Sequence, residues 1–248
     1  MLSATAGELA PLRALLAEPS GGAGVRERAL TPWWDVTYGR LAGVDVALAC
    51  TGIGKVNAAA GTAIALASVR PSHVVLVGIG GAYPAAGLAL GEVAVATSET
   101  HLDSGVGHGS TWQGLEAIGF PLLATGPPTY NRIELDHGLT TSAATAALAK
   151  ALPFATGEAV TESLELARML ERRHGAAVES VEGAAVAQVA VAYGVPFVEL
   201  RGVSNVVGVR YKADWRIAEA VANACTAAAL VVSVLAASGG RESRKVAV

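Results

Sequence analysis

From residue 57 onward, apolar runs of strand length alternate with alanine-rich stretches of helical length, and that alternation restricts the chain to few architectures. Residues 73–77 are continuous and mostly β-branched up to Gly78, the pattern of a strand buried on both faces. Helices are expected at 57–69, 142–152, 164–174 and 184–193, interleaved with strands at 92–97, 154–160, 177–181 and 197–201; a last helix begins near residue 215. Ahead of these lie a helix at 8–17, with Pro11 expected in its first turn, and a hairpin of 36–41 and 44–50 around Ala42-Gly43. Residues 101–135 are irregular and glycine-rich, a loop long enough to border a site. The expectation is one α/β domain over residues 1–248, its central sheet mixed but largely parallel and covered by helices on both faces. Ligands of such sheets bind beyond the carboxyl ends of the strands.

Composition narrows the partners. With 52% hydrophobic and 16% charged residues, the chain has the material for a large core and not the composition of a disordered segment. Net charge is −3 and no run of Lys or Arg precedes the last few residues, so a nucleic-acid partner is not expected and the ligand should be small. Cys50 and Cys225 sit in apolar stretches without metal-type spacing, as reduced core thiols do, and no metal is expected. Met1-Leu2-Ser3-Ala4-Thr5 lacks the basic start and apolar run of a signal peptide. Residues 218–237 are nearly membrane-like, but Glu219, Asn223, Thr226 and Ser233 interrupt them, so a buried or interface helix is expected rather than a membrane span. These features describe a cytoplasmic protein with no membrane partner.

Three strand ends carry residues able to do chemistry. Gly78-Ile79-Gly80-Gly81-Ala82 follows the buried strand; glycines there let backbone approach a ligand and offer N–H groups to an oxygen, unless the segment is an ordinary turn. The dinucleotide spacing G-x-G-x-x-G fails at Tyr83, and no cofactor is expected. Glu182, between Val181 and Gly183, is either a helix-terminal acid favoured by the macrodipole or an acceptor for ligand hydroxyls. Ser204 and Asn205 are turn or cap residues, or ligand contacts. Glu8 is either a solvated acid at a helix start or a functional one.

Val181-Glu182-Gly183-Ala184-Ala185-Val186-Ala187, Gly194-Val195-Pro196-Phe197 and Arg201-Gly202-Val203-Ser204-Asn205 together closely resemble the nucleoside phosphorylase/hydrolase superfamily. Gly52-Ile53-Gly54-Lys55-Val56-Asn57-Ala58-Ala59 and Gly87-Leu88-Ala89-Leu90-Gly91-Glu92-Val93 are similar to it as well, and the likeness runs from about Glu8 to the last helix. Gly80-Gly81-Ala82-Tyr83-Pro84, Asp103-Ser104-Gly105, Ile118-Gly119-Phe120-Pro121-Leu122 and Ser204-Asn205 look most like the superfamily's futalosine-hydrolysing branch, which serves an alternative route to menaquinone.

The resemblance implies a phosphorylase/hydrolase-like fold and a homodimer or higher homo-oligomer. It also implies a nucleoside substrate, futalosine, cleaved to hypoxanthine and dehypoxanthine futalosine. It places Glu182 at the ribose-binding glutamate, with Gly80, Gly81, Val181 and Ser204 as further substrate contacts. Glu8 matches the acid that orients the attacking water, although the strand before it (residues 1–6) is short. Asn205 stands where methylthioadenosine nucleosidases carry an aspartate that protonates purine N7, so here the proton must come from water.

Cleaving a ribosyl C–N bond builds positive charge on the sugar and negative charge on the base, which a carboxylate at the ribose and a polar group at the base would each favour. Three rival readings remain: a methylthioadenosine or S-adenosylhomocysteine nucleosidase, against which Asn205 argues; a phosphorylase, for which no Arg or Lys adjoins residues 78–83; and a non-catalytic nucleoside-binding protein. For the aromatic carboxylate of futalosine, the candidate partners are Arg132, Arg210 and Lys212.

Overall fold

A computed structural model describes residues 1–20, 24–123 and 127–242; residues 124–126 of the long loop and the tail at 243–248 lie outside the described residues. Strand β1 (Leu2–Ser3) leads into helix α1 (Ala6–Ala14), then β2 (Arg26–Ala29), β3 (Asp35–Leu41), β4 (Val44–Cys50), α2 (Lys55–Val69), β5 (Val74–Ala82) and β6 (Val93–His101). The long loop carries a small hairpin, β7 (Gly105–Val106) and β8 (Gln113–Gly114), and strand β9 (Arg132–Glu134). Next come α3 (His137–Ala147), β10 (Lys150–Thr156), α4 (Leu164–His174), β11 (Val178–Ser180), α5 (Gly183–Ala192), β12 (Phe197–Val206) and α6 (Ile217–Glu242).

The sheet runs β11-β10-β6-β12-β5-β1-β4-β3-β2, with β9 alongside β6. Strand β5 is parallel to β1 and β12, but β6 runs against β12. Strands β10 and β11 follow the direction of β6, so β11 meets β5 antiparallel and closes this end of the sheet into a ring. The antiparallel share is therefore larger than the simple alternation of strands and helices predicts.

Helices cover both faces, and successive residues of β5 divide between them. Val75 and Val77 pack in a core with Leu9 and Leu12 of α1, Ala143 of α3 and Ala224 and Val231 of α6. Val74 and Leu76 pack in another with Ala58 and Leu66 of α2 and Val186 of α5. This is the period-two division expected of a strand buried on both sides. Segment Ile217–Ala237 is long and apolar enough to cross a membrane by length and composition, yet Ala220, Ala224, Ala228, Val231 and Leu235 form a helical stripe buried in the protein.

Several boundaries differ from the sequence expectation. The helix expected at 142–152 is α3, which starts five residues earlier because Asp136 caps it, accepting from Leu139 N–H at 2.6 Å. It stops at Leu148, whose left-handed backbone (φ 51°) turns the chain into β10. Helix α1 begins at Ala6, and Pro11 lies inside it, not in its first turn. A capping box between Thr5 and Glu8 sets that start.

Candidate active site

Glu8, Gly80, Gly81, Val181, Glu182, Ser204 and Asn205 all line one cavity of about 840 Å³. A second cavity of about 440 Å³, between the β3–β4 hairpin and the ends of α2 and α6, holds none of them.

Residues 78–82 do not form the turn expected from their glycines; they continue β5, paired with β12 on one side and β11 on the other. The glycines answer crowding instead. A Cβ on Gly78 would lie 2.6 Å from Glu8 Oε1 and 2.7 Å from Arg201 Nη1, and one on Gly80 would lie 2.7 Å from Val178 Cγ1. The site thus sits at the carboxyl end of β5, as expected, but against its last paired residues, Ile79 to Gly81, and not on a turn beyond them.

Glu8 is held by four donors. Its Oε2 accepts from Ser3 Oγ (3.1 Å), Thr5 N–H (3.0 Å) and Thr5 Oγ (2.9 Å), and its Oε1 accepts from Ile79 N–H (3.0 Å). With one donor on Oε1, that oxygen keeps a lone pair for a further partner. Glu8 therefore serves the helix cap and still reaches the cavity.

Glu182 closes β11 and opens α5. Its Oε1 accepts from Gly54 N–H at 3.2 Å, and its Oε2 lies 3.4 Å from Arg201 Nη2. Gly54, at φ 88°, takes the left-handed backbone that lets the start of α2 aim its N–H at this carboxylate. Burial, with smaller contributions from Glu8 and Glu199, raises the Glu182 carboxyl above its ordinary range against the pull of Arg201 and the Gly54 N–H.

Arg201 had no assigned role in the sequence, and it organises the floor beneath the cavity. Its Nε donates to Glu199 Oε1 (2.8 Å) and its Nη1 to the Ile79 carbonyl (3.1 Å). Burial works against its charge, but Glu199, Glu182 and Glu8 outweigh burial and hold the guanidinium protonated beyond its ordinary range. Behind it, Glu99 accepts from Thr156 Oγ at 2.8 Å, and burial followed by repulsion from Glu199 raises the Glu99 carboxyl well above its ordinary value. A Cβ on Gly183 would fall 2.1 Å from Glu99 Oε1 and 2.6 Å from both Glu199 oxygens, so the two carboxyls converge under the first turn of α5.

Strand β12 runs five residues past its expected end, with a register shift between Val203 and Asn205 against β5. Bulges re-aim side chains. Here Ser204 Oγ reaches the Gly80 carbonyl (3.2 Å) and Asn205 Oδ1 (2.8 Å), while Asn205 Nδ2 donates to the Val206 carbonyl (3.0 Å). The Asn205 amide keeps one N–H and one lone pair, side by side, for a ligand.

A buried carboxylate on a buried cation, a second carboxylate with a spare lone pair and a carboxamide, gathered around one cavity, can polarise a ligand that develops positive charge at its centre. The family model described as the phosphorylase superfamily matches residues 1–238, and the chain belongs to that superfamily. It is 42% identical over 191 residues to a futalosine hydrolase of Thermus thermophilus, covering 77% of this chain and 81% of that one. It is 37% identical over 194 residues to a futalosine hydrolase of Streptomyces coelicolor, covering 76% and 79% respectively. The fold superposes with a TM-score of 0.76 on the crystal structure of a 5'-methylthioadenosine/S-adenosylhomocysteine nucleosidase from Neisseria meningitidis in complex with methylthio-immucillin-A, at 25% identity and covering 93% of this chain and 96% of that one.

Proposed function

We propose that this chain hydrolyses the N-glycosidic bond of futalosine, releasing hypoxanthine, as a step toward menaquinone. The observation that carries the reading is the convergence of Glu182, Glu8 and Asn205 on one cavity, in a chain 42% identical to a futalosine hydrolase. Glu182 holds the ribose hydroxyls and favours the ribosyl cation electrostatically. Glu8 takes a proton from water through its Oε1 as the water adds to the anomeric carbon. Asn205 accepts from protonated N7 and donates to the 6-oxo group, and solvent supplies the proton.

The whole chain acts as one nucleosidase domain, supported by a central sheet that takes strands from both ends of the described chain, from β1 (Leu2–Ser3) to β12 (Phe197–Val206). Free Cys50 and Cys225 fit a reducing cytoplasm. Exposed Val56 and Phe120 fit an apolar surface covered by another copy in a homo-oligomer.

The deciding experiment incubates the protein with futalosine, methylthioadenosine and inosine, with and without phosphate. Hypoxanthine released from futalosine in phosphate-free buffer is the expected result. A requirement for phosphate makes the chain a phosphorylase, preference for methylthioadenosine makes it the other nucleosidase, and binding without release makes it a binding protein.

A further inference from the structure

Three carboxylates line the cavity among the described residues; Glu8 and Glu182 have tasks in the reaction, and Glu179 has none. Glu179 lies on β11 and is 6% exposed. No cation pairs with it among the described residues, neither Arg210 nor Lys212 of the same lining nor any other. A buried carboxylate without a counter-charge costs desolvation that only hydrogen bonds can offset.

The bonds of Glu179 are all accepted ones. Its Oε2 takes the hydroxyls of Tyr83 (2.8 Å) and Thr161 (2.6 Å), and its Oε1 takes the Thr161 N–H (3.1 Å). Burial, and then the charge of Glu179 itself, raises the Tyr83 hydroxyl above its ordinary range, so the phenol stays a donor. Oε2 is thus filled, while Oε1 has one donor among the described residues and keeps a lone pair.

The sheet sets this carboxylate in one row with Asn205. Gly81 of β5 is the register partner of Glu179 on one side and of Asn205 on the other. Register partners share a face of the sheet, and two strand spacings put roughly 10 Å between the backbones of Glu179 and Asn205. A Cβ on Gly81 would lie 3.2 Å from Asn205 Nδ2, so glycine keeps the middle of the row open. The result is a slot for the edge of a flat ring, with an amide at one end and a carboxylate at the other.

From this row we infer that Glu179 accepts the N1–H of a 6-oxopurine and is a specificity-determining residue for the base. Asn205 takes N7 and O6, and N1–H is the next group along the same edge of hypoxanthine. A 6-aminopurine has a bare lone pair at N1, which would face the lone pair of a buried carboxylate and leave both without a donor. The inference rests on the proposed cleavage of futalosine and adds to it the residue that reads N1 of the leaving base.

Calorimetric titration with hypoxanthine, 1-methylhypoxanthine and adenine tests it, in the wild-type protein and in Glu179→Gln. 1-Methylhypoxanthine keeps N7 and O6 but lacks N1–H, so the wild type should bind it at least about tenfold more weakly than hypoxanthine. Glutamine keeps an acceptor for the Thr161 N–H and loses the charge, so hypoxanthine should weaken about tenfold while adenine does not weaken. A wild-type protein that binds hypoxanthine and its 1-methyl form equally overturns the inference without any variant. So does a Glu179→Gln protein that loses hypoxanthine and adenine by the same factor, as a merely structural carboxylate would. Equal binding of the two forms by a protein that hydrolyses futalosine overturns the N1 contact alone. The expected binding pattern without release of hypoxanthine from futalosine overturns the proposed function and leaves the contact standing; neither binding nor release overturns both.

Discussion

Arg201 Nη2 stands 3.4 Å from Glu182 Oε2 with the two side chains 1% and 4% exposed, so the carboxylate that lines the cavity rests on a buried cation. Such a pair costs desolvation on both sides and adds little net stability. Its value is positional: Arg201 is itself fixed by Glu199 and by the Ile79 carbonyl, and it passes that rigidity to Glu182.

Glu182→Gln should abolish turnover while the protein still folds. The amide keeps the shape and loses the charge, and ~2.7–4 kcal/mol is a fair comparison from lost oxyanion donors. Because the Glu182 carboxyl is raised by burial, its proton returns at a higher pH than that of an ordinary glutamate. The wild-type kcat/KM should therefore fall with decreasing pH on a limb above the ordinary glutamate value of about 4.3. A pH–rate profile checks this; a flat acid side, or near wild-type rates in Glu182→Gln, removes Glu182 from the reaction.

Glu8→Gln separates the two tasks of that residue. If Oε1 orients water, kcat should fall more than KM rises, because the interaction matters chiefly in the transition state. Glutamine at this position still completes a capping box, so stability, read separately by urea denaturation, should fall by less than the about 0.5–2 kcal/mol that loss of a cap costs. A variant with normal kcat would leave Glu8 as a helix cap only.

Glu99→Gln should be tolerated, although the residue is fully buried. The raised Glu99 carboxyl means that the folded protein binds a proton there which the unfolded chain releases near pH 4.3, so this site's contribution to stability falls as pH rises above about that value. Glutamine offers N–H donors to Glu199 without a proton to lose, so the variant should equal or exceed the wild type at pH 8 and show a flatter dependence of stability on pH. Glu199→Gln differs, because it takes from Arg201 its carboxylate at 2.8 Å; ~3–5 kcal/mol is expected for breaking a buried pair. Denaturant midpoints at pH 5 and 8 decide it, and a Glu99→Gln protein less stable than wild type at pH 8 contradicts the raised Glu99 carboxyl.

Much of this arrangement was legible in the residues, and the gaps have physical causes. The pattern at 164–174 matched α4, because Ser163 caps it and Gly175 ends it within the local sequence. The strand at 73–77 was cut short at Gly78, since glycine there answers the approach of Glu8 and Arg201, partners supplied by distant parts of the chain. Thr5-Ala6-Gly7-Glu8 carries the capping-box spacing that would have started α1 correctly. Glu199 and Arg201 also left a signal. Charges at alternate positions in an otherwise apolar run must share one face of a strand, and two buried charges there need each other. The register shift that aims Asn205 into the cavity has no local signature beyond the Ser204-Asn205 pair.

Asn205 should select 6-oxopurines. With Oδ1 accepting from Ser204 and one N–H given to the Val206 carbonyl, the amide's remaining N–H meets an acceptor at O6 of hypoxanthine but a donor at N6 of adenine. A buried donor facing a donor costs roughly 1–3 kcal/mol, about fivefold to somewhat over a hundredfold in rate. Asn205→Asp should move preference toward 6-aminopurines, since a protonated carboxyl donates to N7 without requiring O6. The comparison is kcat/KM for futalosine against its 6-amino counterpart in both forms of the protein. Wild-type preference for the amino substrate, or a ratio that the substitution leaves unchanged, would mean that the purine is chosen elsewhere in the cavity, and the case for futalosine over its amino counterpart would then rest on family likeness alone.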